Sequence, residues 1–176
     1  YVETNAVLNH DVFSISCWFK PSLLGQNQYF VDNRDATDEG WLLYSPANGT
    51  IRFKIGDGTD SVIVITGASI ALDTWVHIAA TYAGSAGAIS TYINGVAGNT
   101  GTADAGNTAG GGGDVANLSL IADLALTTMT IGRKFRAGTD NKHGAQGELD
   151  DVFYYNDVLS ADEIDRNYKA GKRSHK

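Results

Sequence analysis

Cysteine is nearly absent: Cys17 is the single one in 176 residues, so no intrachain disulfide can form and the fold must hold by its core. A lone cysteine leaves the redox compartment open, and in an alternating segment it reads as a small buried hydrophobe. Proline is also scarce, at 2 residues against 21 glycines. No apolar run approaches the ~18 residues that a membrane-crossing helix needs, so membrane insertion is not expected. Basic residues are too few to cover an acidic partner: 13 Lys and Arg face 20 Asp and Glu, a net charge of -7. That balance argues against nucleic acid and against an anionic membrane surface, both of which call for a basic face. Phosphate loops, a Gly-x-Ser-x-Gly elbow and a Cys/His pair are missing too. The opening on Tyr1, without a signal peptide, suggests a domain excised from a longer protein.

What is present is period-2 alternation, the mark of strands with one buried face. Within residues 11–20, Phe13, Ile15, Cys17 and Phe19 share one face while Ser14, Ser16, Trp18 and Lys20 share the other. Ile51, Phe53 and Ile55 alternate with Arg52 and Lys54, between Asn48-Gly49 and Gly56-Asp57-Gly58 turns. Residues 62–65 form a continuous apolar run, readable as a strand covered on both faces. Further strands are expected over 75–82, 88–94, 128–134 and 146–156, with Asn94-Gly95 as a tight hairpin turn. One helix is credible: Ser160 and Glu163 make a capping box, Ile164 and Tyr168 share a face, and Gly171 stops it. The basic stretch 172–176 is expected to fray. Residues 98–117, rich in Gly, Ala, Thr and Asn, read as a mobile glycine-rich loop. A chain of this length fits a single domain over 1–176 and can bury roughly 70% of its unfolded surface. The expectation is all-β, a two-sheet antiparallel sandwich with one short C-terminal helix.

Four segments, in order, resemble the laminin G-like, concanavalin A-like jelly-roll superfamily in its short bacterial and viral form. They are FSISCWFKPS at 13–22, DTWVHIAATYAG at 73–84, STYINGVAGNTG at 90–101 and GELDDVFYYNDVLSADEI at 147–164. The resemblance implies a jelly-roll strand order, which the alternation alone does not. It also implies Trp75 in the core. A looser likeness to such domains in marine phage structural proteins rests on VDNRDATDEGW at 31–41 and NYKAGKR at 167–173.

The same fold houses family-16 glycoside hydrolases, whose retaining mechanism needs two carboxylates about 5 Å apart. Their Glu-x-Asp-x-x-Glu pattern is not met: Glu148, Asp150 and Asp151 are followed by Phe153 where the second glutamate belongs. No catalytic residue is therefore assigned. His77, two residues from Trp75, reads as a structural histidine bonded to backbone rather than as a base or ligand. Domains of this family often hold Ca2+, and the resemblance makes Asp150, after Leu149, the structural ligand. A second acidic cluster, Asp32, Asn33, Asp35, Asp38 and Glu39, could chelate a hard cation. Its alternative reading is a solvated hairpin with Arg34 partly neutralising it. For a sugar, Trp18, Trp41, Tyr44, Tyr92 and Tyr154 are the candidate platforms. Sequons at Asn48 and Asn117 matter only in a eukaryotic secretory host.

The expected function is a non-catalytic extracellular or surface binding module for a glycan or protein receptor, with calcium assistance. The alternative is a structural or display domain that self-assembles on a virion or cell surface. A hydrolase of the same fold stands third.

Overall fold

The computed structural model describes residues 2–4, 10, 12–34, 39–57, 61–84, 89–101, 129–134 and 144–176. The strands are β1 (Val2–Thr4), β2 (Phe13–Pro21), β3 (Gln28–Asp32), β4 (Glu39–Ser45), β5 (Thr50–Asp57) and β6 (Ser61–Ser69), then β7 (Val76–Tyr82), β8 (Ile89–Ile93), β9 (Val96–Gly101), β10 (Met129–Ile131) and β11 (Gly147–Tyr155). Helix α1 (Ala161–Gly171) follows. Two sheets form, one of six strands in the order β1-β10-β3-β4-β5-β6 and one of five in the order β11-β2-β7-β8-β9. Every pairing among the described residues is antiparallel.

Alternation explains the core. Phe13, Ile15, Cys17 and Phe19 of β2 turn inward and are fully buried, as are Phe30, Trp41, Leu43, Phe53 and Ile55 of the facing sheet. Each large apolar side chain so buried contributes at most about 1.5–3 kcal/mol. The rings interlock: Phe13 meets Phe53 edge-on at 6.1 Å and Phe19 meets Phe30 at 4.7 Å. Cys17 lies in this core as expected, and burial pushes its thiol pKa up to about 12, so it is no nucleophile at neutral pH. Val62, Ile63 and Val64 are all buried, consistent with a strand covered on both faces.

β11 is where local pattern and tertiary structure part. Between Asp150, opposite Trp18, and Phe153, opposite Ser16, β11 spends one residue more than β2. Asp151 absorbs the excess with a positive φ of 47°. The bulge resets the alternation, so Leu149, Val152 and Tyr154 pack on the core while Phe153 and Tyr155 face outward. Strict alternation would have placed Tyr154 on the face of Glu148 and Asp150, and Phe153 and Tyr155 on that of Leu149.

Gln28, itself buried, ties the start of β11 to the other sheet: its Nε2 donates to the Leu23 carbonyl at 2.8 Å and its Oε1 accepts from Gln146 N at 2.6 Å. The Asn94-Gly95 turn forms as read, with φ of 52° and 78°. The glycine-rich stretch begins later than expected, since residues 98–101 belong to β9. Its remainder, 102–117, lies outside the described residues, as does Asn117.

Candidate functional site

The outer face of the five-stranded sheet is not left to solvent, because α1 crosses it. The link from β11 is pinned by Ser14 of β2, whose hydroxyl donates to the Asp157 carbonyl at 2.8 Å and accepts from Leu159 N at 2.9 Å. The capping box then starts the helix: Glu163 N donates to Ser160 Oγ, and Ser160 N donates to Glu163 Oε2 at 2.8 Å. Ile164 drives the docking by packing on Ala79 and Tyr92 of the sheet. Further along, Tyr168 stacks on Trp18 with ring centres 5.7 Å apart.

Between the second half of α1 and β11 a pocket of ≈ 390 Å³ remains. Its floor is Ser16, Trp18 and His77, all buried. The β11 wall carries Asp151, Phe153 and Tyr155, and the helix wall carries Asn167, Ala170 and Gly171. Asn167 Nδ2 donates to the Tyr155 hydroxyl at 3.3 Å, bridging the walls. Phe153 is 49% exposed, with Tyr155 6.2 Å from it, so an aromatic ring stands at the mouth. Among the lining residues Asp151 is the one carboxylate.

His77 is buried in the floor of this pocket. Its backbone is paired with Asn94 on both sides, yet its ring Nδ1 is buried with no hydrogen-bond partner among the described residues. Burial first, and the neighbouring His175 second, hold its pKa at about 4 against the ordinary 6.5. The unfolded chain takes up this proton more readily, so the contribution is whole above pH ~6.5 and drains as the pH falls toward ~4. Thermal melts from pH ~7 down to ~4.5 should therefore show a falling melting temperature that His77→Gln flattens. Wild-type and variant curves of equal slope would refute the assignment.

The segment after α1 does not fray. His175 is buried and stacks on Trp18 at 4.4 Å and 5°, with Trp75 edge-on at 4.7 Å. Its Nδ1 faces the Gly171 carbonyl at 2.9 Å and its Nε2 faces Asp150 Oδ2 at 3.2 Å. Trp75, expected in the core, instead sits half-buried on this outer side.

Three candidate platforms are corrected by burial. Trp41 is fully enclosed in the core between Phe13, Phe53 and Tyr154. Trp18 does lie on the polar face of β2 but is covered by Tyr168 and His175, and Tyr92 is covered by Ile164. Tyr154 is turned inward by the bulge and stacks on Phe13 at 5.4 Å, while His10 Nδ1 lies 3.2 Å from its hydroxyl. Tyr44 remains half-buried on the other sheet, stacked on Tyr29 at 5.9 Å. Phe153 and Tyr155, which were not among the expected platforms, are the aromatics of the pocket's β11 wall, with the candidate Trp18 in its floor. The signal that could have found them is the Asp150-Asp151 pair, a polar interruption in an otherwise alternating strand.

The acidic cluster at 32–39 is not a solvated hairpin at its start. Asp32 is fully buried and clasped by Arg34, with Nε to Oδ1 and Nη2 to Oδ2 both at 2.9 Å. Asp35 and Asp38 lie outside the described residues. Asp150 keeps an exposed carboxylate, one oxygen of which faces His175. Among the described residues no three His, Cys, Asp or Glu side chains gather as a metal site. Glu148 is paired with Lys20 at 3.1 Å. Among the described residues no helix is long and apolar enough to cross a membrane.

A family model described as the concanavalin A-like lectin/glucanases superfamily matches residues 1–165. No curated protein sequence matches the chain. Among solved structures, a heptameric SAP-like pentraxin from Limulus polyphemus matches with a TM-score of 0.58 at 17% identity, over 89% of this chain and 69% of that one. Botulinum neurotoxin type C, described as entering cells through two ganglioside molecules, matches at 0.61 and 15% identity, over 91% and 36%. A botulinum neurotoxin DC binding domain in complex with rat synaptotagmin II matches at 0.59 and 14% identity, over 91% and 36%. The chain thus spans about a third of the toxin chains it matches. At these identities the likeness speaks to the fold.

Proposed function

The chain belongs to the concanavalin A-like lectin and glucanase superfamily, and from that membership we propose that it is a non-catalytic extracellular or surface binding module for a carbohydrate or a protein receptor. The observation that carries this reading is the pocket beside α1, where an exposed aromatic ring stands over polar side chains with one carboxylate among them. Such a lining recognises a ligand but lacks the second carboxylate of a retaining glycosidase. The ganglioside-dependent toxin and the synaptotagmin-bound domain support the choice of glycan or protein as ligand class. Calcium assistance through Asp150 is a finer part of the proposal.

A glycan-array screen, run once with millimolar calcium and once with chelator, tests it. Glycan binding is the expected result, and loss of that binding in chelator is what the calcium part requires. A blank in both buffers would remove the glycan half. It would favour a display or assembly domain, for which Leu23, Leu24 and Leu72 are the supporting observation. These exposed leucines lie near one end of the sandwich, where Asp73 N donates to the Pro21 carbonyl at 2.8 Å. Self-association by analytical ultracentrifugation, reversed by Leu23→Ser with Leu72→Ser, would then establish that second reading.

A further inference from the structure

We propose that the pocket between β11 and α1 seats one neutral hydroxylated ring, a glycosyl residue, against the Phe153 face with its polar edge toward His77. This rests on the glycan half of the proposed function and adds the place and the chemistry.

The floor supplies the first argument. His77 is 3% exposed and its Nδ1 has no partner among the described residues. A buried polar atom left unpaired is unfavourable, and His77 is among the residues that line the pocket. The ring is neutral at physiological pH, so it exchanges a hydrogen bond with a hydroxyl without demanding a counter-charge. Ser16 on the same floor and Asn167 on the helix wall add hydroxyl and amide groups suited to the same kind of partner.

The mouth supplies the second. Phe153 is the large aromatic that the described outer face leaves open, and it stands beside Tyr155. A sugar ring has an apolar face and a polar rim, and that division matches a pocket with a phenyl ring at its lip and polar groups below. Other ligand chemistries fit less well. A purely apolar ligand would offer His77, Ser16 and Asn167 no polar partner, and an anion would meet Asp151 at the rim. A cage for an organic cation needs several open ring faces, yet Trp18 is already covered by His175 and Tyr168. At ≈ 390 Å³ the space is small for an extended chain and suits one or two rings.

The test is an NMR titration of the whole chain with methyl glycosides of glucose, galactose, mannose, N-acetylglucosamine and fucose, with tetramethylammonium and sulfate as charged probes. At least one glycoside should shift the Phe153, Asn167 and His77 signals. Phe153→Ala should then weaken binding about tenfold, Phe153→Tyr should restore it, and Tyr44→Ala on the other sheet should leave it unchanged. Phe153 is exposed enough for its variants to fold, and an unchanged melting temperature checks this. If wild type binds on the array or in the titration but Phe153→Ala binds equally, the site is wrong and the glycan reading stands. If no glycoside and no arrayed glycan binds, that reading itself fails. If tetramethylammonium or sulfate alone shifts the pocket signals, the proposed ligand class is overturned.

Discussion

Arg34→Ala is expected to destabilise the domain by about 3–5 kcal/mol, because it strips the counter-charge from a carboxylate that water cannot reach. Asp32 is fully buried, and the Arg34 guanidinium meets both its oxygens at 2.9 Å while Arg34 N donates to Oδ1 at 3.1 Å. The planar fork matters as much as the charge, so Arg34→Lys should recover part of the loss and not all of it. Replacing both partners, with Asp32→Leu and Arg34→Met, should be far milder than Arg34→Ala alone, since no uncompensated ion is left inside. Urea unfolding of the four proteins measures this. An Arg34→Ala penalty under about 1 kcal/mol would mean that solvent reaches Asp32 once the guanidinium is gone.

Gly147→Ala should have an effect of similar size for a different reason. Gly147 opens β11 opposite Pro21 with φ at 151°, a region that only glycine adopts readily. A Cβ there would lie 2.1 Å from the Lys20 carbonyl oxygen and 2.9 Å from Pro21 Cα, both backbone atoms that cannot step aside alone. Strain and overlap together amount to on the order of 2–6 kcal/mol. The relief available is for β11 to lift from β2, so hydrogen exchange should quicken along β11 in the variant. Gly25→Ala separates the two causes. Its φ is 82° but nothing lies within 4 Å of the new methyl, so only the smaller conformational penalty remains. Equal penalties at Gly25 and Gly147 would show that overlap with β2 plays no part.

Both effects were invisible in the amino-acid string, and the reason is the range over which each is decided. Arg34 was legible as a neighbour of acidic residues, but nothing local says that Asp32 would be sealed under the sheet. Gly147 was one of 21 glycines, and only the approach of β2 marks it out. The aromatics follow the same rule. Trp18 was placed correctly on the outer face of its strand, and whether that face is wet depends on α1 and on His175, some 150 residues away in the chain.

What the sequence determined by itself is what short-range physics writes into it. Two-residue periodicity set the inward faces of β2 and β5, Asn94-Gly95 set a turn, and Ser160 with Glu163 set the start of α1. Ordered motifs over nearly the whole chain added the family and its two-sheet architecture. Only the tertiary structure decided which aromatics are available to a ligand. A one-residue bulge at Asp151 exchanged Tyr154 for Phe153 and Tyr155 on the outer face, and α1 then built a wall beside them. A strand's pattern repeats every two residues, so a single extra residue inverts everything beyond it. That inversion is set by pairing with β2, and pairing exists only in the folded chain.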